Sequence, residues 1–268
     1  MTGPEEHAEV ERGQAAVPAV GPTVGPAVGP AVQAGEELGE ELGDEFGVGI
    51  AALRTEYTAA RLDEESASTD PWAQFTTWFA DAVAAPEVVE PNAMVLATVG
   101  AQGLPSARTV LLKAFEPGRG FVFFTNTASR KGRDLAANPA CALVFPWHAV
   151  QRQVRVAGRT EQLDADEVAT YFASRPRGAR LGAWASQQST VVASRADLER
   201  AYATAATRFG VREEDGEVPV PPTWGGYRVR PTSFEFWQGR PSRLHDRLEY
   251  LDNGSDIGGG WVRRRLAP

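Results

Sequence analysis

The segment TNTASRKGRDLAANP, residues 125–139, packs hydroxyls and cations into a few positions. Thr125 and Ser129 offer hydroxyls, and Arg130 and Lys131 offer positive charge. The residues after them predict a short helix, whose first turn leaves backbone N–H groups free. That combination suits a phosphate. The lysine matters because lysine is scarce: of 27 Lys and Arg, only Lys113 and Lys131 are lysines. Where this chain retains a lysine, a compact ammonium rather than a planar fork is indicated. The bland alternative is a solvated Arg-Lys pair at a surface helix. No Gly-rich Walker pattern is present, so a nucleoside triphosphate is not indicated.

A second candidate is RLHDRLEY, residues 243–250. Read as a strand, it sends Arg243, His245 and Arg247 to one face, a positive comb beside the flat ring of Trp237. Arginine forks suit phosphate oxygens and the indole suits a planar ligand. An exposed polar strand face is the plain alternative. RTVLLK supplies Arg108 and Lys113, which strict alternation places on opposite faces; they share a ligand only if the strand bends or ends. Gln151, Gln153 and Arg155 alternate in VQRQVRV, and Gln187, Gln188 and Ser189 fall in a loop. These polar sets serve a heterocycle or simply face water. Cys141 reads as a small core residue. No cluster has metal-ligand spacing, and no Ser-His-Asp arrangement is legible.

The elements that must position these residues are short. TDPWAQFTTWFADAVAA predicts a helix with Asp70 as N-cap and Pro71 at its first position. Its apolar stripe is Trp72, Phe75, Trp78, Phe79, Ala82 and Val83. From residue 93 the period becomes two: MVLATV, SARTVLLKAF, GFVFFTN, CALVFPW and VQRQVRVAGRTEQL read as strands. Helices are predicted at 166–174 and 195–209. Strands return in WGGYRVRP, SFEFWQG, RLHDRLEY and WVRRRL, with a turn at 258–260. Many short antiparallel strands with flanking helices predict a closed or nearly closed barrel.

Residues 1–50 read as a disordered, Gly-Pro-rich and acidic tail, and 51–268 as the folded domain. Gly47, Gly49 and Ala52 match dinucleotide-loop spacing, but no strand precedes them. The net charge is −8, yet residues 1–50 hold ten acids against Arg12, so the rest is near neutral. That argues against nucleic acid as a partner. One cysteine excludes an internal disulfide and fits a reducing, cytoplasmic setting. No apolar run is long enough to span a membrane.

Taken together, LRTEY, RTVLLK, FFTNTASRKG, NPACALVFPW, RQVRVAG, YFASRPRGARLGAWASQQS, WGGYRV, EFWQGRPSRLHDR and RRLAP resemble the pyridoxine (pyridoxamine) 5′-phosphate oxidase family, in order, from Leu53 to Pro268. The resemblance implies an α+β, mainly β, antiparallel Greek-key split barrel that binds FMN across a homodimer interface. It implies flavin contacts from Arg108, Val110, Lys113, Phe124, Thr125, Arg130, Lys131, Gln153, Gln188, Ser189, Trp237 and Arg247. For the substrate it implies Arg54, Tyr57, Lys113, Tyr171, Arg175 and position 179, with Arg243 and His245 as the catalytic pair over the pyridine ring. The implied reaction is oxidation of pyridoxine or pyridoxamine 5′-phosphate by dioxygen, yielding pyridoxal 5′-phosphate and hydrogen peroxide. Two departures stand out: Ala179 replaces a phosphate-binding serine, and Phe124 a common tyrosine. The rival readings are another flavin or deazaflavin oxidoreductase on this barrel, and a non-catalytic flavin-binding module.

Overall fold

The computed structural model describes residues 56–57, 61–254 and 260–268. The expected tail, the decoy glycines, Arg54 and most of the 258–260 turn lie outside them. All described residues fall in one compact unit, 56–268.

Helix α1 (Pro71–Ala84) starts where the sequence predicts. The Asp70 carboxylate accepts from the N–H of Trp72 at 3.1 Å and of Ala73 at 3.3 Å. Trp72, Phe75, Trp78 and Ala82 are buried, whereas Val83, expected in the same stripe, is 59% exposed. The Phe75 ring stands edge-on to Phe115, Phe121 and Phe145, with centroids 4.9–5.1 Å away. Such contacts add about 0.5–1.5 kcal/mol per pair beyond area burial.

Among the described residues nine strands follow in a single antiparallel sheet: β1 (Ala93–Val99), β2 (Pro105–Leu111), β3 (Ala114–Glu116), β4 (Gly120–Asn126), β5 (Ala140–Trp147), β6 (Arg152–Gln162), β7 (Trp224–Gln238), β8 (Asp246–Asp252) and β9 (Trp261–Arg265). Their order is β2-β1-β5-β6-β7-β4-β3, with β8 and β9 branching from β7. The path begins on β2 and ends on β3, yet only Leu112 and Lys113 separate those strands in the chain. A sheet whose ends are two residues apart has to curl until they meet, which yields a half-barrel. The stretch read as one strand, SARTVLLKAF, is therefore two. The break lies at Lys113, and this is why Arg108 and Lys113 reach one side.

Helix α2 (Arg130–Ala137) lies between β4 and β5. Between β6 and β7 come α3 (Ala165–Ser174), α4 (Arg177–Ala185) and α5 (Arg195–Phe209). A small core of Phe172, Leu181, Ala205 and Val218 joins them. Helix α4 was not predicted, because Gly178 and Gly182 depress local helix propensity.

The strand expected at 243–250 begins only at Asp246. Ser242 and Arg243 have left-handed φ of 57° and 62° and form a tight turn with Pro241. Arg243 and His245 thus leave the row that strict alternation would give them, and the three-residue comb does not form.

Candidate functional site

Two groups of side chains emerge. The first surrounds a cavity of about 500 Å³. Strand β2 and its end supply Arg108, Val110 and Lys113, β4 supplies Phe124 and Thr125, and α2 supplies Lys131. The helical segment adds Tyr171, Arg175, Ala179 and Gln188, and β7 adds Trp224. Expected flavin contacts and expected substrate contacts therefore line one hollow.

Lys131 is buried, 8% exposed. Its Nζ donates to Gln188 Oε1 at 2.6 Å, Thr125 Oγ1 at 3.1 Å and Ser129 Oγ at 3.4 Å. All three acceptors are neutral. Burial lowers the ammonium's proton affinity, and the Arg108 charge adds to that. Among the described residues this ammonium has no carboxylate partner, and a buried charge calls for one. Ser129 also caps α2, accepting from the Gly132 N–H at 3.3 Å, so that donor is already taken. Gly132 is required here, since a Cβ would lie 2.0 Å from the Thr127 carbonyl oxygen.

Arg108 is held from behind. Its Nη1 donates to Thr98 Oγ1 at 2.7 Å and to the Leu96 carbonyl at 3.2 Å, and its Nη2 donates to Ser106 Oγ. Both hydroxyls donate onward to Asp134 Oδ2, at 2.7 and 2.9 Å. Burial lowers the guanidinium's proton affinity and Asp134 works against that. Thr98, Ser106 and Asp134 were not singled out from the sequence. The legible signal was one acid in the otherwise cationic RKGRD.

In the same lining, Tyr171 lies flat on Phe124, with centroids 3.8 Å apart. The Arg175 guanidinium sits 4.0 Å from the Trp224 ring centroid. Burial lowers its proton affinity, opposed by Tyr171. Among the described residues, Arg175 Nη1 and Trp224 Nε1 are buried donors without an acceptor. Lys113 is exposed at the rim, and Arg130 is exposed at the first position of α2, outside the lining. Ser189 is an exposed loop residue with φ 71°, next to Gln188 but also outside the lining.

The second group lies at the other end of β7. Gln153, Trp237 and Arg247 are register partners across β6, β7 and β8 and so share a face. The His245 ring is 4.6 Å from Trp237 and 5.4 Å from Tyr57, and the Arg243 guanidinium is 5.9 Å from the Tyr57 ring. His245 Nδ1 accepts from the Arg240 N–H at 3.1 Å, which fixes the neutral ring as the Nε2–H tautomer. Burial and the Arg243 charge lower its proton affinity. Arg247 is committed elsewhere, to Glu235 at 2.8 Å and the Ala267 carbonyl at 2.7 Å.

Phe124 pairs with residue 226 of β7, whereas Gln153 and Arg247 pair with residue 237. That separation is roughly 35 Å of strand path. No member of the second group lines the first group's cavity. Cys141 is half-buried, and burial pushes its thiol up to about 12. Among the described residues no His, Cys, Asp and Glu group has metal-binding geometry, and no helix is long and apolar enough to cross a membrane.

Comparison with known proteins finds relatives along most of the chain. Residues 79–209 match the family described as pyridoxamine 5′-phosphate oxidase, and residues 224–268 match the pyridoxine 5′-phosphate oxidase C-terminal dimerisation region. A pyridoxine/pyridoxamine 5′-phosphate oxidase of Burkholderia multivorans is 56% identical over 219 residues, covering 82% of this chain and 99% of that protein. One from Bordetella petrii is 54% identical over 221 residues, covering 82% and 100%. Among solved structures, PhzG from Burkholderia lata, in complex with tetrahydrophenazine-1-carboxylic acid, superposes with a TM-score of 0.71 at 27% identity, covering 80% of this chain and 100% of that one. A pyridoxamine 5′-phosphate oxidase-related, FMN-binding protein of Nostoc punctiforme (TM-score 0.58, 17% identity, 75% and 100% coverage) shares the fold. With both halves matched and near full-length relatives above half identity, the chain belongs to the pyridoxamine 5′-phosphate oxidase family.

Proposed function

We propose that this protein is an FMN-dependent oxidase that converts pyridoxine 5′-phosphate and pyridoxamine 5′-phosphate to pyridoxal 5′-phosphate, with dioxygen as acceptor and hydrogen peroxide as by-product. The observation that carries this reading is a pair of uncompensated cations in one cavity. Lys131 is buried among neutral oxygens, and Arg175 carries a buried N–H with no acceptor. Two such cations from different elements, α2 and the end of α3, call for two anionic groups, one phosphate on each of two ligands.

On this reading Arg108, Lys131, Thr125 and Gln188 hold the FMN phosphate end, with Arg130, Lys113 and Ser189 at the margin. Val110 and Phe124 form the apolar wall. Arg175, Tyr171 and Lys113 take the substrate phosphate, beside an Ala179 that offers no hydroxyl. Gln153, Trp237 and Arg247 complete the flavin site, and Tyr57, Arg243 and His245 cover the substrate ring, contributed by the second subunit of a homodimer. The long path along β7 supports that division. Bound FMN supplies a hydride acceptor at a ring nitrogen that dioxygen regenerates. The chain's part is placement: two phosphate clamps fix both ring systems, and the aromatic walls exclude water. Arg243 offsets charge at the substrate ring, and the His245 Nε2–H donates toward it.

The test is peroxide release by the FMN-loaded protein with each substrate. Turnover of both supports the reading. An FMN-bound protein inert towards both sinks it and favours the rival that the PhzG likeness raises, a flavin oxidase of another planar substrate.

A further inference from the structure

Asp134 is not among the residues that line the cavity, yet its carboxylate organises a cation that is. Thr98 and Ser106 face each other across the β1–β2 register, and each presents its hydroxyl to the same oxygen, Asp134 Oδ2. A carboxylate only accepts, so both hydroxyl hydrogens are committed to it. The hydroxyl lone pairs are then left to accept, and both do so from one guanidinium: Thr98 from Arg108 Nη1 and Ser106 from Arg108 Nη2. The direct Arg108–Asp134 separation is 3.8 Å, longer than either hydroxyl arm. Two parallel arms, each running guanidinium to hydroxyl to carboxylate, fix both the position and the plane of the Arg108 fork.

We infer that Asp134 is a positioning residue: through Thr98 and Ser106 it locks the Arg108 guanidinium in the orientation that receives the phosphate of the bound flavin. The inference rests on the flavin reading above. Interposing the hydroxyls also keeps the carboxylate a further bond away from an incoming dianion, so it orients the arginine without facing the phosphate itself. A carboxamide at this position breaks the scheme. It can donate as well as accept, so the hydroxyls are no longer forced to turn their lone pairs toward Arg108.

The test compares two ligands that differ only in the phosphate, FMN and riboflavin, by fluorescence titration of the apoprotein. Asp134→Asn is expected to weaken FMN binding about tenfold, the scale of a lost charge-assisted contact, and to leave riboflavin affinity unchanged. Ser106→Ala, which severs one arm, should move FMN in the same direction by less. On an Arg108→Gln background, Asp134→Asn should cost nothing further. Equal losses for FMN and riboflavin would mean a general structural role and overturn the inference. So would an FMN affinity equal to that of the unaltered protein. If the unaltered protein binds neither flavin, the functional reading falls and takes this inference with it.

Discussion

Phe124 and Tyr171 lie face to face, their ring planes 12° from parallel. Phe124 belongs to strand β4 and Tyr171 to helix α3, so this stack, together with the Arg228–Glu167 ion pair and the Phe172–Trp224 contact, fastens the helical segment to the sheet. Tyr171→Phe preserves the stack and removes only the hydroxyl. It should raise KM for the phosphorylated substrate several-fold while leaving the thermal midpoint and flavin content unchanged. Phe124→Ala removes the stack, and should lower the midpoint as well as raise KM. A Tyr171→Phe enzyme with unaltered KM would exclude the hydroxyl from substrate binding.

Lys131→Met replaces a buried ammonium with an apolar chain of similar length. Because the charge has only neutral partners among the described residues, its removal should not destabilise the apoprotein. Flavin, however, should separate from the variant on gel filtration. Full flavin retention together with full apoprotein stability would refute the assigned role of Lys131.

Ala179→Ser restores a hydroxyl to the cavity wall. One added neutral hydrogen bond of about 1 kcal/mol lowers KM about fivefold. Arg175→Lys keeps the charge but loses the fork stacked over Trp224, and is expected to raise KM at least tenfold with flavin content intact. Steady-state kinetics on the two variants provide the comparison.

His245 yields an acid dependence. Burial and Arg243 pull its proton affinity below the ordinary value of 6.5, so the folded protein prefers the neutral ring. Protonation would also break the bond from the Arg240 N–H. The resulting stabilisation is complete above that ordinary value and is lost as pH falls through the lower folded value. Melting curves from about pH 8 to 5 should show the unaltered protein losing stability relative to His245→Gln towards the acid end. A constant gap between them would contradict this.

Much of the barrel was legible in the sequence because its signals are local. Asp70 and Pro71 announce α1, and period-two runs announce the strands. Thr125, Ser129 and Lys131 could be singled out together because they lie within one short segment, whereas Gln188, which accepts from the same ammonium, joins them only through the fold. What escaped depends on the chain's return to itself. Nothing in the types of Ser242 and Arg243 advertises a left-handed backbone, since neither is Gly or Asn, so the comb looked continuous. The meeting of Thr98, Ser106 and Asp134 needs the β1–β2 register plus the docking of α2, and no single stretch encodes it. Lys113 and Arg108 looked opposed until the sheet was seen to split between them.

The length of β7 has a genetic consequence. One strand begins beside Lys131's cavity and ends beside His245, so on the function proposed above each chain carries two half-sites, each completed by its partner. A chain inactivated by Lys131→Met and another inactivated by Arg243→Met damage opposite ends. Refolded together, they should complement one another: the mixed pair regains one intact centre, while either variant alone stays silent.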